Sequence, residues 1–292
     1  MIGEGNMGNC REISAQYQIA NALAAQSLQK DKKQILPVCP ASVNALMDDR
    51  LVSNRVDLGE LVIPVNLIVG VAKTSDQVNH YTSEFLPIPA PNSKFAERWM
   101  RIYEVFYLHE VNSNVIKCYE YLGKFYVADG LKRVSVAKFL SVSTMRAQVV
   151  RILPIRTDTR EAQQYFDFLF QYRLTHLYQL QFTQPGFFEQ FQSALGNGPS
   201  YLWSEGDRSR FLMHWNTIEE AFRKAYGGLL RLTTADALVV LMRKYSYEQI
   251  LQMESWVLAR IFQASWKELY ALSFPNLAVV GLRQAVPYPQ TA

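Results

Sequence analysis

Hydrophobic and polar positions are most informative between residues 115 and 153. Phe125-Tyr126-Val127-Ala128 is a continuous aromatic and β-branched run of the length of a buried strand, and Asp129-Gly130 breaks it. Val134 to Leu140 leaves room for two helical turns, and Ala147 to Ile152 reads as a further strand. Upstream, Val115 to Tyr121 supplies a strand and Gly123-Lys124 a hairpin turn into Phe125. Leu61 to Ile68 is also strand-like, and its Pro64 confines it to a sheet edge or to the first residues of a strand. Val71 to Pro91 is polar and Pro-rich and predicts a long loop. Lys94 to Glu110 predicts a helix, with Phe95, Trp99, Ile102 and Phe106 at helical spacing.

Outside this region the period is helical. Residues 1–9 are Gly- and Asn-rich and predict a loose end, followed by a helix over Ile13 to Lys33 with a broken apolar stripe at Ile19, Ala22, Leu23 and Leu28. Pro37 and Pro40 interrupt it, and Ser42 can cap a short helix to about Leu51. After Leu153-Pro154, Thr157 or Asp158 caps a helix to about Leu180 that turns Tyr165, Phe166, Leu169, Phe170 and Leu177 inward. Pro185-Gly186 starts the next helix, Ser204 to Tyr226 forms another ended by Gly227-Gly228, and Thr234 caps Ala235 to Tyr245. Ser246-x-x-Gln249 is a capping box for a last helix running to about Leu272, with Ile250, Met253, Val257, Ile261 and Ala264 on one face. The expected fold class is α+β followed by an all-α domain, divided as 1–54 (helical arm), 55–153 (α+β domain), 154–272 (helical domain) and 273–292 (irregular tail).

With 292 residues and 49% apolar content the chain can bury a substantial core. A net charge of +4 is mild, but seven cations (Lys132, Arg133, Lys138, Arg146, Arg151, Arg156 and Arg160) face only Asp158 between 132 and 160. A local positive field follows. Cys10, Cys39 and Cys118 are too widely spaced for a disulfide framework or a zinc site, and His80, His109, His176 and His214 lack metal-ligand spacing. No apolar window approaches a membrane span or a signal-peptide core, so the expected setting is cytoplasmic and no membrane partner is expected.

The chemistry converges on Asp129-Gly130-Leu131-Lys132-Arg133, where a strand hands over to a helix. Free backbone N–H groups and the positive end of the helix dipole meet there with two cations, which suits a phosphate. Arg133 offers a bidentate fork to a phosphoanion. Ser135, in the first helical turn, either donates to the same anion or caps. Asp129 holds a metal ion bound to the phosphates, orients Arg133, or accepts the turn's N–H groups. No P-loop and no Gly-x-Ser-x-Gly elbow occurs in the chain.

The segment Asp129-Gly130-Leu131-Lys132-Arg133-Val134-Ser135-Val136-Ala137 resembles the ParB/sulfiredoxin superfamily, whose motif is Gly-x-x-Arg-x-x-x-Ala, and in particular a subset reading Asp-Gly-x-His-Arg-Val-Ser-Val-Ala. Val62 to Gly70, Phe85-Leu86-Pro87 and Glu97-Arg98-Trp99 are similar to that subset's first strand and lead-in, so the resemblance spans roughly residues 41 to 153. It implies a ParB/sulfiredoxin-like domain binding a nucleotide, with Mg²⁺ as companion ion. Asp129 and Arg133 become the catalytic candidates, Asp129 the metal ligand, and Gly130, Lys132, Arg133 and Ser135 the nucleotide-binding set. Lys132 replaces the subset's His, which keeps a charge and removes a proton-transfer group. Leu131 stands where sulfiredoxins need Cys, which excludes that activity. The free serine kinases of the superfamily take a catalytic carboxylate from outside the motif; Glu60 and Glu84 lie near the predicted strand edge and loop, and neither aligns with it. A helix-turn-helix and the Glu-Asn-x-x-Arg motif of complete ParB partition proteins are both missing. Three functions fit: phosphoryl transfer or nucleotide hydrolysis, DNA association through backbone phosphates, or a non-catalytic interaction module. The corresponding partners are a nucleotide or other phosphorylated small molecule, DNA, and a second copy of the chain joined through the helical domain.

Overall fold

The computed structural model describes residues 4–34, 37–46, 52–108, 115–226 and 228–275, with the side chains of 4–11, 45–46 and 107–108 left aside. The chain divides into two compact units, Met1–Ala162 and Gln163–Ala292. Unit 1 is α+β. Its strands among the described residues are β1 (Ala41–Ser42), β2 (Val52–Pro64), β3 (Ile68–Val71), β4 (Ile116–Tyr121), β5 (Lys124–Asp129) and β6 (Thr144–Pro154). Its helices are α1 (Glu4–Gln34), α2 (Val43–Leu46), α3 (Lys94–Leu108) and α4 (Leu131–Phe139). The strands form one mixed sheet in the order β1-β3-β5-β4-β6-β2. β1, β3 and β5 run parallel, β4 is antiparallel to β5, β6 is parallel to β4, and β2 closes the far edge antiparallel to β6.

The expected hairpin is present. β4 and β5 are joined through Leu122 (φ 51°) and Gly123 (φ 74°), two left-handed residues that match the right-handed twist of the flanking strands. β5 then leads through Gly130 straight into α4, as the pattern predicts, and Pro64 stands at the end of an edge strand. Two further expectations are corrected. β2 begins at Val52 rather than Leu61, because its first half pairs only with β6, is largely exposed, and carries no apolar alternation to mark it. A bulge between Asp57 and Glu60 turns on Gly59 (φ 70°), whose N–H donates to Asp57 Oδ1 at 2.8 Å.

The predicted stripe of α1 is the wrong face. Ile19 and Leu23 are exposed, whereas Ile13, Tyr17, Ala20 and Ala24 are buried. Tyr17 sets this orientation: its ring meets Trp99 edge-on at 5.3 Å, and its hydroxyl donates to Pro89 O at 2.8 Å. Asn21 Nδ2 donates to the carbonyls of Pro87, Ile88 and Pro89. The helix therefore clamps the Pro-rich loop against the sheet's helical layer instead of extending freely. Trp99 lies at the centre of that layer, fully buried, stacked on Tyr103 and edge-on to Phe139.

Unit 2 is helical: α5 (Arg160–Thr175), α6 (Phe187–Ala194), α7 (Glu205–Tyr226), α8 (Thr234–Met242), α9 (Tyr247–Leu251), α10 (Ser255–Ala264) and α11 (Trp266–Ser273), with the unit division falling near the start of α5. α8 is buried on nearly every side from Ala235 to Leu241, which makes it the core of the unit. Thr233, not Thr234, caps it, in a capping box with Asp236. The Ser246/Gln249 capping box forms as expected, but the long helix after it is three short ones; of the predicted stripe Ile250 is buried, while Leu258 and Phe262 take the buried positions that Val257, Ile261 and Ala264 were expected to hold. α5 stops at Thr175 because His176 takes φ 54°, and Phe170 faces out while Phe168 faces in. The expected tail lies outside the described residues beyond Pro275, as do Gly227 and the predicted helix end near Leu51.

Candidate functional site

The strand-to-helix loop is built around Gly130. At φ 104° it occupies the left-handed region, and an added Cβ would lie 2.6 Å from Ile116 Cγ2 on the neighbouring strand, so both conformation and space require glycine. Gly130 is the N-cap of α4 and supplies no side-chain cap, and the first intrahelical bond runs from Val134 N–H to Gly130 O. The N–H groups of Leu131, Lys132 and Arg133 accordingly precede the helix's own ladder.

The predicted site residues separate once their partners are seen. Arg133 turns toward the sheet: Nη1 donates to Val115 O at 2.6 Å and Nη2 lies 3.5 Å from Asp129 Oδ2. Its guanidinium ties the start of β4 to the end of β5, so the expected phosphate fork is engaged within the fold. Asp129 is mostly exposed and is the other half of that pair. Ser135 is fully buried and accepts a hydrogen bond from Trp99 Nε1 at 2.9 Å, which fixes α4 against α3 and points the hydroxyl away from the loop. The expectation that Ser135 binds the anion or caps the helix is corrected on that ground.

Lys132 behaves differently. Its ammonium stands 4.7 Å from the ring centre of Phe95 on α3. Burial lowers its pKa, and the Arg98 guanidinium lowers it further. Phe95 is held on its edges by His80 at 5.3 Å and Tyr81 at 5.4 Å, both from the long loop between β3 and α3. Sequence reasoning gave Phe95 to the core and assigned no chemistry to Arg98. The available signal was their three-residue spacing in the first turns of a helix, which places them on one face.

The positive field expected from residues 132–160 is largely neutralised inside unit 1. Arg146 pairs with Glu60 across β6 and β2, and Arg151 pairs with the fully buried Glu120, which also accepts from Gly123 N–H at 2.8 Å. Lys138 is packed 5.3 Å from the Phe85 ring centre, and burial pushes its pKa down to about 8 against the smaller opposing pull of Glu84. Cys118 is buried and its thiol is pushed up to about 12, which makes it an unreactive core residue.

Comparison with protein-family models, with curated proteins and with solved structures finds no match.

The donor set also bears on Mg²⁺. Among the described residues no three His, Cys, Asp or Glu side chains come together as a metal site, and Asp129 is already paired with Arg133. Asp129 alone does not make a protein-held Mg²⁺ site; an ion there would take its other ligands from bound phosphates and water. Unit 2 carries an open groove of about 480 Å³ lined by Glu189, Gln190, Ser193, Val239, Met242 and Arg243. Its guanidinium is bound to Glu268 at 2.7 Å and to Gln190 at 3.0 Å. No helix among the described residues is long and apolar enough to cross a membrane.

Proposed function

We propose that unit 1 is a ParB/sulfiredoxin-like module that binds a nucleotide or other phosphorylated small molecule where β5 enters α4, with Lys132 and the first-turn N–H groups as the ligating set. The observation that carries this reading is the contrast between adjacent cations. Arg133 has a carbonyl and a carboxylate partner. Lys132, at the mouth of the same loop, is in no ion pair among the described residues and rests on an aromatic ring. A helix start and an adjacent ammonium attract an anion together. Arg133 and Asp129 then act as the brace that holds the loop, and binding rather than turnover is the activity the geometry supports best. The DNA reading rested on the cations of residues 132–160. With Arg133, Arg146 and Arg151 partnered and Lys138 half-buried against Phe85, that run offers no continuous backbone-binding face.

A thermal-shift panel of nucleoside di- and triphosphates, with and without Mg²⁺, tests the proposal. A ligand that binds only the folded chain raises Tm, by about 2.7 kcal/mol of stability at a hundredfold excess over Kd. At least one nucleotide should shift the parent, and Lys132→Gln should remove the shift. A panel without any shift at millimolar ligand would sink the reading.

A further inference from the structure

We infer that Arg98 on α3 and Lys132 on α4 act as two jaws, with Phe95 as the floor, that close on the terminal phosphate of a small phosphomonoester. This rests on the phosphoanion reading above and adds a second ligating residue and a substrate class to it.

Placement comes first. Lys132 Nζ lies 4.7 Å from the Phe95 ring centre. Arg98 follows Phe95 by three residues on α3, so the two side chains are neighbours on one helix face. His80 and Tyr81 pack against Phe95 and keep it from swinging away, while the Trp99–Ser135 hydrogen bond sets α3 against α4. The floor and both jaws are thus mounted on fixed elements. Arg98 is exposed and Lys132 half-exposed, so each can reach a ligand in solution.

Charge then selects the ligand. Two cations held near each other, with neither in an ion pair among the described residues, repel, and Arg98 contributes to lowering the Lys132 pKa. A phosphomonoester carries about −1.5 to −2 near neutral pH, enough to satisfy both jaws. A phosphodiester carries a single charge and leaves one cation uncompensated. The first-turn N–H groups of α4 face the same end of the helix and add donors without adding charge. A monoester is therefore favoured over a diester, and a nucleic-acid backbone is disfavoured by the same count.

The test is isothermal titration calorimetry on the full chain with AMP, ribose 5-phosphate and dimethyl phosphate. Both monoesters should bind the parent about tenfold or more tighter than dimethyl phosphate. Arg98→Gln should bring the monoesters down to the diester level, Arg98→Lys should restore part of the difference, and Lys132→Gln should weaken all three. Circular dichroism should match the parent for each variant, since both side chains reach solvent. Parent-like AMP affinity in Arg98→Gln beside a loss in Lys132→Gln overturns the two-jaw site and leaves the loop reading standing. Parent-like affinity in Lys132→Gln removes the loop reading itself. AMP binding with ribose 5-phosphate no tighter than the diester overturns the monoester assignment, and silence from all three probes overturns the two-jaw site, while the di- and triphosphate panel decides the loop reading separately.

Discussion

In unit 1, buried polar atoms meet specific partners: Ser135 Oγ accepts from Trp99 Nε1, Glu120 holds Arg151 and the Gly123 N–H, and Thr82 Oγ1 accepts from Leu86 N–H. In unit 2, Gln171 Oε1, Trp215 Nε1, Tyr247 OH and Ser255 Oγ are buried without a hydrogen-bond partner among the described residues. Unit 2 has bonded buried polar groups as well, with Asp236 accepting from Thr183 and Thr233 and Gln192 Oε1 from Trp203 Nε1, beside aromatic packing such as Phe211 stacked on Trp215 at 5.1 Å and Phe222 edge-on to Phe262 at 5.2 Å; the four atoms named are what sets it apart. Directional bonds accept one arrangement, whereas aromatic packing tolerates several. Unit 1 therefore holds the loop, α3 and α4 in one geometry, which a binding site requires.

The largest expected effect concerns a half-buried amine that departs from this pattern. Lys138 has its pKa lowered to about 8 from an unfolded value of 10.5. A depressed base binds fewer protons folded than unfolded, so its contribution to stability rises as pH climbs from 8 toward 10.5, and below 8 it carries its full penalty. Cys118, raised to about 12 from 9, works the other way: the unfolded thiol ionises first, and stability falls above pH 9. The difference between parent and Lys138→Met isolates the lysine. The variant should be more stable at pH 7 by on the order of 3 kcal/mol, and the gap should close by pH 10. Urea melts at both pH values measure this, and a gap independent of pH would contradict the assignment.

Next comes the brace. Arg133→Met removes a charge-assisted bond to the Val115 carbonyl and the ion pair with Asp129. The expected loss is about 1.5–3 kcal/mol of stability, with phosphate affinity changed less than in Lys132→Gln. If titration shows Arg133→Met losing affinity at unchanged stability, the two cations have been assigned the wrong way round.

Much of this geometry was legible in the residues. The β-branched run at Phe125, the Asp-Gly break and the Ser246-x-x-Gln249 box are local signals, and each marks an element boundary that is present. What was hidden is non-local. Nothing near Arg133 announces that the Val115 carbonyl stands opposite it, because that depends on the register that sets Lys117 against Asp129 in the β4–β5 pair. Tyr17 decides the buried face of α1 through Trp99 and Pro89, both far along the chain, against the local vote of Ile19 and Leu23. The break at Ser265, between α10 and α11, has no glycine or proline to signal it.

The smallest expected effect is the sharpest probe of how the two units treat polar atoms. Ser135→Ala removes the acceptor of the Trp99 indole N–H in a fully buried site and puts nothing in its place. An orphaned buried donor costs about 1–3 kcal/mol, so this variant should lose stability in that range. Tyr247→Phe deletes a hydroxyl that is buried without a partner among the described residues and whose pKa burial has raised to about 12. Removing an unpaired polar atom relieves a desolvation penalty and leaves the ring packing intact, so the change should be neutral or stabilising by up to about 1 kcal/mol. The two substitutions each delete one hydroxyl from a buried site, and a general sensitivity to small core changes would give both the same sign. Opposite signs in parallel denaturant melts support the difference between the units. A loss of more than about 1 kcal/mol in Tyr247→Phe would mean that its hydroxyl is bonded in solution, and the contrast in unpartnered buried atoms between the units would then fail at this residue.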